Sequence, residues 1–335
     1  EEISSSTDIY WFKSSNKYVV VDKKFSELLS LKLSDNNKFI RKIQDSPDLS
    51  EKKVIEINPN FADAHLSLGH VFRKLKQRDK ALVCFERAHA IKPSMNNIFG
   101  TLLNSKMHLC KWDDLSDQLQ ELRIRVNNNE KVIGPFSLMG LIDDPDLQKK
   151  ASEIFVNHHY PENNVLPKLT KYQRHSKIRI GYFSADFHNH ATMHLMAELF
   201  ELHDKALFEI IAFSFGPDKL DQWRERAISS FDEFIDVRGK TDQEISLISK
   251  KLEIDIAVDL KGFTRDCRPN IFAEICAPVQ VSYLGYPGTI GADHIHYLIA
   301  DPTLIPNNKQ HHYTEKIVYM PNSYQVNVSK RNISK

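Results

Sequence analysis

Apolar runs alternate with amphipathic stretches along the chain from Lys177 onward. Runs such as IRIGYF and IDIAVDL suit buried strands, and the stretches between them have the length of short helices. This alternation is typical of a parallel sheet covered by helices on both faces. We therefore predict a doubly wound α/β domain at 177–335. Its predicted strands are 178–183, 208–215, 233–237, 254–260, 279–284, 296–300 and 316–320, and its predicted helices are 193–203, 219–229, 241–252 and 269–276.

A helical repeat precedes this domain. Ile57-Asn-Pro59 recurs as Ile91-Lys-Pro93, 34 residues later, and this period is typical of a helix–turn–helix repeat. Small and large apolar residues fall where two closely packed helices need them. The pattern resembles a tetratricopeptide repeat. The predicted faces are Ala64, Leu68, Gly69 and Phe72 on the first helix, and Ala81, Phe85 and Ala88 on the second.

A degenerate second copy of the repeat follows, with leucines at helical spacing but without the small residues. Terminal repeats are expected to be atypical because they cap the stack. We assign 51–125 to the repeats and 126–176 to a connector with a helix at 146–158. Residues 1–50 have no assigned role, although Tyr18 begins a strand-like run and 25–33 has the pattern of a short helix.

Composition excludes several classes of function. The chain has 335 residues, and its Lys and Arg (45) nearly balance its Asp and Glu (44), so nothing favours nucleic acid or an anionic membrane as a partner. No apolar run approaches the ~20 residues of a membrane span. The cysteines form no CxxC pair, which is typical of reduced thiols. We therefore expect a cytoplasmic protein.

An unusual group of histidines follows the first strand of the α/β domain. Asp186, His188, His190 and His194 fall within nine residues. One hypothesis is a metal site. Another is a loop between strand and helix that aims one histidine at a reacting hydroxyl, and a third is that these histidines have no role. The metal hypothesis needs a further ligand, which the segment Asp293-His294-Ile-His296 could supply.

Two more polar loops follow predicted strands. VDLKGFT (258–264) offers Asp259 and Thr264 as hydrogen-bonding groups beside Gly262, which permits a tight bend. YLGYPGTIGAD (283–293) has three glycines whose backbone N–H groups could hold an oxyanion or a phosphate. It is neither a Walker loop nor a dinucleotide fingerprint, and the alternative is a turn with a purely structural role. Because ligands bind at the carboxyl ends of parallel strands, we predict one site built from all three loops.

Taken together, these segments resemble the SPINDLY / protein O-GlcNAc transferase family. The resemblance is carried, in order along the chain, by IRIGYFSADFHNHATMHLM, FEIIAFSFGPD, IDIAVDLKGFT, APVQVSYLGYPGTIGAD and EKIVYMPNSYQVN. A tetratricopeptide repeat array before the catalytic region is characteristic of this family. The resemblance covers about residues 57–335.

The resemblance implies the Rossmann-like N-terminal half of a GT-B glycosyltransferase. Such enzymes move a sugar from a nucleotide sugar to Ser or Thr hydroxyls of proteins, with inversion and without an obligatory metal. UDP-GlcNAc would be a substrate, no cofactor would be needed, and the repeats would bind acceptor proteins. His190 would lie in the active-site cleft as a candidate general base. The residues expected to line the cleft are Asp186, His194, Asp259, Thr264, Gly285, Tyr286, Pro287, Gly288 and Thr289.

Two features depart from the family pattern. Relatives often have proline after the loop histidine, whereas this chain has Ala191. The resemblance also implies a second Rossmann-like domain with most of the nucleotide-sugar contacts, and no segment here matches it. We therefore expect a fragment that lacks transferase activity by itself. The alternatives are a repeat-based protein-binding scaffold with an inert α/β domain, and a metal-dependent hydrolase that uses His188, His190 and His194.

Overall fold

The computed structural model describes residues 8–12, 17–21, 55, 58–162, 166–167, 169 and 175–329. The chain divides into two compact units, Glu1–Leu141 and Ile142–Lys335, so the division falls within 126–176. In the first unit, strands β1 (Asp8–Phe12) and β2 (Lys17–Val21) form an antiparallel pair. The strand predicted at Tyr18 is thus confirmed. The helix predicted at 25–33 lies outside the described residues.

The repeat forms the helix pair that its spacing predicts. Helix α1 (Ala62–Lys74) and helix α2 (Arg78–Ile91) pack through small residues. A Cβ atom on Gly69 would lie 2.4 Å from the Phe85 ring, so only glycine permits this approach. The core formed around Phe85 continues into the following helix. Its buried members are Ala62, Ala81, Leu82, Phe85, Ala88, Met95, Ile98 and Leu102.

The degenerate copy is also helical. Helix α3 (Ile98–His108) and helix α4 (Leu115–Asn127) follow α2, and a short helix α5 (Pro135–Met139) ends this unit. Gly100 of α3 lies close against Ile133. A Cβ atom at this position would be 2.4 Å from the Ile133 side chain. Ile98 and Leu102 of α3 belong to the core of the clear repeat, as expected of a capping copy.

A seven-stranded parallel sheet forms the second unit. Its order is β5-β4-β3-β6-β7-β8-β9, and all its pairs are parallel. The chain starts in the middle at β3, moves outward to β5, and returns to β6 on the other side of β3. This confirms the doubly wound sheet. The strands are β3 (Ile178–Ser184), β4 (Phe208–Ser214), β5 (Glu233–Asp236), β6 (Ile256–Asp259), β7 (Val279–Ser282), β8 (Tyr297–Ala300) and β9 (Lys316–Tyr319).

The four longer helices of this unit begin at polar caps. Helix α6 (Pro145–His159) starts after Asp144, whose carboxylate accepts from the Leu147 N–H, with proline at the first helical position. The remaining elements are α7 (Ala191–Glu201), α8 (Gln222–Ser230), α9 (Asp242–Lys251), α10 (Asn270–Ala273) and a 3₁₀ helix (Asn307–His312). The Asp221 carboxylate caps α8, and a capping box starts α9.

The core beneath α7 is mainly aromatic. Phe187, Phe200 and Phe231 are nearly or fully buried and make edge or tilted ring contacts with one another. On the opposite side, Phe183 stacks on Phe213 with ring centroids 4.3 Å apart. These contacts hold β3 and the start of α7 in fixed positions. None of the helices in the described parts of the chain combines the length and the apolar character that crossing a membrane requires.

Candidate active site

The loops after β3 and β6 meet at the point where the strand order reverses. The two strands are hydrogen-bonded neighbours in the middle of the sheet, yet the chain leaves them toward opposite edges. In open α/β sheets, ligands bind in the crevice at this topological switch point. The loop with the three histidines (184–194, the histidine loop) follows β3, and VDLKGFT spans the end of β6. The fold therefore brings these two predicted site segments together.

A buried ion pair joins the two loops. Lys261 Nζ donates to Asp186 Oδ2 over 2.6 Å, and the exposed fractions of the two side chains are only 5% and 10%. The hydroxyl of Thr192 also donates to Asp186 Oδ2, at 3.4 Å. The Asp186 N–H is anchored on the Ser184 hydroxyl. The carboxylate is thus held in place and its charge is balanced within the protein.

His190 lies beside this pair and is open to solvent. Its side chain is 44% exposed, and Nδ1 is 3.6 Å from Asp186 Oδ2. It is the N-cap of α7, where Nδ1 accepts from the Thr192 N–H at 3.2 Å. Partial burial lowers the pKa of His190, Asp186 opposes this shift, and Lys261 adds to it. The net effect favours the neutral form of the ring.

The hydrogen bonds indicate which ring nitrogen carries the proton. A backbone N–H can only donate, so Nδ1 of His190 must act as the acceptor toward Thr192. In the neutral ring, the proton then lies on Nε2. For Nε2 to act as a base, a proton would have to sit on Nδ1 and point toward Asp186. That contact needs the 3.6 Å separation from Oδ2 to shorten.

The other two histidines of the loop face different surroundings. His188 is buried, and its Nδ1 has no hydrogen-bond partner among the described residues. Its ring centroid lies 5.8 Å from that of His190. His194 lies one turn into α7, where Nε2 contacts the Asn189 side chain at 2.7 Å and the ring packs on Trp223. His194 thus braces the loop rather than facing the Asp186–Lys261 pair.

Asp259 and Thr264 shape the turn after β6. Asp259 is buried and accepts from the N–H groups of Lys261 and Gly262. Burial raises its pKa to about 6 although these hydrogen bonds act in the opposite direction. The Thr264 hydroxyl donates to the Lys261 carbonyl at 2.8 Å. Both side chains therefore hold the backbone that presents Lys261.

The glycine-rich loop after β7 packs directly against this turn. A Cβ atom on Gly285 would lie 2.0 Å from the Leu260 carbonyl oxygen, and one on Gly262 would lie 2.4 Å from Tyr286. Gly262 also has a positive φ of 52°, which glycine adopts without strain. Tyr286 is buried and packs on Phe263, with ring centroids 5.2 Å apart. Close backbone packing accounts for both glycines.

The rest of the glycine-rich loop divides into an exposed and a buried part. Pro287 is exposed and Gly288 is partly so. Thr289 is buried and its hydroxyl donates to Glu315 at 2.7 Å, while the Ile290 N–H donates to the other oxygen of Glu315. Burial raises the pKa of Glu315. Thr289 thus anchors the loop to the segment before β9.

Two groups at the switch point were missing from the predicted site. Lys261 lies inside VDLKGFT, but a lysine in a turn usually indicates solvent exposure, and no local pattern reveals its burial. Thr192 supplies the N–H that engages His190 and a hydroxyl near Asp186. The signal available for Lys261 was its place directly after a buried strand, opposite a loop that contains an aspartate.

The second proposed source of metal ligands has structural roles. His294 is buried, which lowers its pKa to about 4, and His296 Nδ1 accepts from the Gln280 N–H. Within the described segments, the group of three potential ligands that comes together is Asp146, His311 and His312. That group includes no residue of the histidine loop.

Comparison with known proteins identifies both units. The model of glycosyl transferase family 41 matches residues 152–333, and that of the tetratricopeptide repeat matches residues 62–95. A probable UDP-N-acetylglucosamine–peptide N-acetylglucosaminyltransferase SEC of Arabidopsis thaliana is 33% identical over 245 residues, which are 69% of this chain and 25% of the relative. A UDP-N-acetylglucosamine–peptide N-acetylglucosaminyltransferase of Caenorhabditis elegans is 29% identical over 64% of this chain and 20% of its own length. The chain thus spans a quarter or less of these curated relatives.

Two further relatives agree with these matches. A probable SPINDLY enzyme of Solanum lycopersicum is 28% identical over 43% of this chain and 16% of the relative. A solved structure of a mutant O-GlcNAc transferase from Thermobaculum terrenum matches with a TM-score of 0.63 at 24% identity, over 91% of this chain and 59% of that one. This likeness supports the predicted fold, repeats followed by a GT-B-type Rossmann half. Because the family 41 model matches more than half of its residues, the chain belongs to glycosyl transferase family 41.

Proposed function

We propose that this chain provides the repeats and one catalytic half of a protein O-glycosyltransferase. The reaction is transfer of GlcNAc from UDP-GlcNAc to Ser or Thr hydroxyls, with inversion at the anomeric carbon. The names of the relatives from Arabidopsis and Caenorhabditis support the donor and the peptide acceptor. The observation that carries the proposal is the exposed His190 at the switch point, beside the buried Asp186–Lys261 pair.

Three of the chain's own groups act at the reacting hydroxyl. Nδ1 of His190 is engaged by the Thr192 N–H, so Nε2 is the nitrogen that contacts the acceptor. As an N–H it orients the hydroxyl, and once the ring proton has moved to Nδ1 it can take up the hydroxyl proton. Asp186 lies behind Nδ1 and stabilises an imidazolium if one forms. Lys261 balances the charge of Asp186 and favours the neutral form of His190. We propose no metal or other cofactor in this step, and the nucleotide sugar is a substrate.

Acceptor proteins bind to the repeats in this proposal. The support is the match to the tetratricopeptide repeat at residues 62–95, since helical repeats build extended surfaces that bind other proteins. We also propose a cytoplasmic location. It is supported by free cysteines at Cys84, Cys110, Cys267 and Cys276, which are typical of reducing compartments.

The test is sugar transfer by the full gene product that contains this chain. Incorporation of GlcNAc from UDP-GlcNAc into a protein acceptor is measured by mass spectrometry. Two variants separate chemistry from folding. His190→Ala removes both the ring and the helix cap, whereas His190→Asn keeps a side-chain oxygen that caps α7. We expect His190→Asn to unfold near the parent temperature and to lower turnover by about 10²-fold or more.

Two outcomes would overturn the proposal. Absence of transfer by the parent protein from UDP-GlcNAc removes the assigned reaction. Full activity of His190→Asn removes His190 from the chemistry and leaves it as a helix cap only. A loss that is large in His190→Ala but absent in His190→Asn has the same meaning.

A further inference from the structure

A second cluster of reactive side chains lies outside the crevice. Asp146 is in the first turn of α6, and His311 and His312 end the 3₁₀ helix. This helix leads into β9, whereas His190 follows β3. In a parallel sheet, these are opposite strand ends, so the cluster is separate from the site described above. The two elements are far apart in sequence but both belong to the second unit.

The geometry of the cluster suits a small cation. One ligand atom from each of Asp146, His311 and His312 can be chosen so that all three lie within 4.8 Å of one another. Asp146 Oδ1 and His312 Nδ1 are 2.7 Å apart, and the ring centroids of the two histidines are 3.9 Å apart. Two imidazoles and one carboxylate are a donor set that Zn²⁺ accepts, with a fourth position left for water.

Part of the cluster is held in place by its surroundings. His312 is 8% exposed, so its ring has little freedom to turn. Lys149 Nζ donates to the His311 carbonyl at 2.9 Å and ties the 3₁₀ helix to α6. Asp146 and His311 are exposed, so a cation can reach them from solvent. Fewer groups must therefore be ordered on binding than at three independent surface side chains.

Two features oppose binding. The ammonium of Lys149 is near and positive, and a cation must replace the contact between Asp146 and His312. These costs make the site weaker than a closed four-ligand zinc site. They are offset best by a cation that binds imidazole well. Mg²⁺ and Ca²⁺ prefer oxygen ligands and gain little from two histidines.

We propose that Asp146, His311 and His312 form a Zn²⁺-binding site that clips α6 to the 3₁₀ helix before β9. The ion supplies no step of sugar transfer. It stabilises the second unit because it binds the folded arrangement and finds no such arrangement in the unfolded chain. At a free Zn²⁺ concentration about 100 times the dissociation constant, the unfolding temperature of this unit should rise by roughly 5–10 °C.

The experiment uses the 335-residue chain after removal of bound metal with a chelator. Titration calorimetry with ZnCl₂ gives stoichiometry and affinity, MgCl₂ serves as the hard-cation comparison, and thermal unfolding follows the shift. The variants are His311→Ala and Asp146→Asn, which change exposed side chains and spare the buried His312. The matched control is His158→Ala, because His158 and His159 form another adjacent pair at the far end of the same helix.

We expect one Zn²⁺ per chain and at least tenfold weaker binding in both His311→Ala and Asp146→Asn. His158→Ala should bind as the parent does, and MgCl₂ should leave the unfolding temperature unchanged. Failure of the parent to bind one equivalent of Zn²⁺ overturns the proposal. So does unchanged binding in the two ligand variants, or a loss confined to His158→Ala, since either result places the ion elsewhere.

Discussion

At the scale of single residues, the ion pair between Lys261 and Asp186 joins the two loops that form the crevice. Both side chains are almost fully covered, so each charge depends on the other for its stabilisation. Removal of one partner from a buried pair leaves an uncompensated charge, which is far more costly than loss of the pair as a whole. This difference provides a test of whether the pair is formed in solution.

Lys261→Met should lower the free energy of unfolding by about 3–5 kcal/mol, because it leaves Asp186 charged and unpaired. Asp186→Asn combined with Lys261→Met should recover a clear part of that loss. Denaturant unfolding of the parent, both single variants and the double variant gives the coupling energy. Additive effects of the two changes would contradict the pairing.

His294 predicts a dependence of stability on pH. Burial lowers the pKa of His294 from 6.5 to about 4, so the unfolded chain takes up this proton at a higher pH than the folded protein does. The stabilisation from the neutral ring is complete above pH 6.5 and is lost as the pH falls from 6.5 toward 4. The shift corresponds to a loss of about 3 kcal/mol across this interval.

His294→Phe should therefore unfold with a shallower dependence on pH than the parent between pH 6.5 and 4. Denaturant unfolding of the second unit at several pH values measures the slope. The exposed His158→Gln is the control and should keep the slope of the parent. Equal slopes for His294→Phe and the parent would show that burial does not lower the pKa of His294 in the folded protein.

At the scale of elements, the loops after β6 and β7 approach each other closely. Gly285→Ala places a methyl group 2.0 Å from the Leu260 carbonyl oxygen, and this backbone oxygen cannot move aside easily. We expect destabilisation of about 1–3 kcal/mol or more, as is usual for overpacking. Gly239→Ala is the matched control, since a Cβ atom there meets nothing within 4 Å.

Thermal or denaturant unfolding of both glycine variants checks this contact. Gly239→Ala should lie close to the parent in stability or slightly above it, because alanine restricts the unfolded chain. If Gly285→Ala were as stable as Gly239→Ala, the two loops would not approach each other as described.

The elements were predictable to the extent that their signals are local. The seven strands follow from short apolar runs, and the repeat follows from its 34-residue period. Predicted ends were often too long, as for the helix at 269–276, which is helical only over Asn270–Ala273. Ile275, just after the helix, has a positive φ of 53°, a backbone conformation that the local sequence pattern does not indicate.

The site was predictable only in part, because it depends on sheet order. His190 and Asp186 belong to one loop, so their nearness is visible in the sequence. Lys261 lies 75 positions from Asp186 and meets it only because β6 returns to the side of β3. Similarly, Thr289 looked like a cleft residue in a glycine-rich loop, but its hydroxyl binds Glu315, 26 positions away.

At the scale of the whole molecule, the chain consists of two units with separate cores. The first unit is built around the repeat, and the second contains the crevice with His190. Protein acceptors offer folded surface and long segments that a repeat surface can hold, whereas a short peptide can contact little beyond the crevice. Loss of the first unit should therefore affect the two kinds of acceptor differently.

We predict that the full gene product without residues 1–141 glycosylates short peptides within about twofold of the parent rate. Protein acceptors should be glycosylated at least tenfold more slowly, and a tenfold loss corresponds to ~1.4 kcal/mol in effective binding. The boundary follows the division between the units, so the sheet and its aromatic core are left whole, and thermal unfolding of the shortened protein confirms that they fold. The comparison is the ratio of kcat/KM for a protein acceptor to that for a peptide taken from its modified segment. If both acceptors lost activity equally, the ratio would stay the same, and the repeats would have no part in holding the protein acceptor.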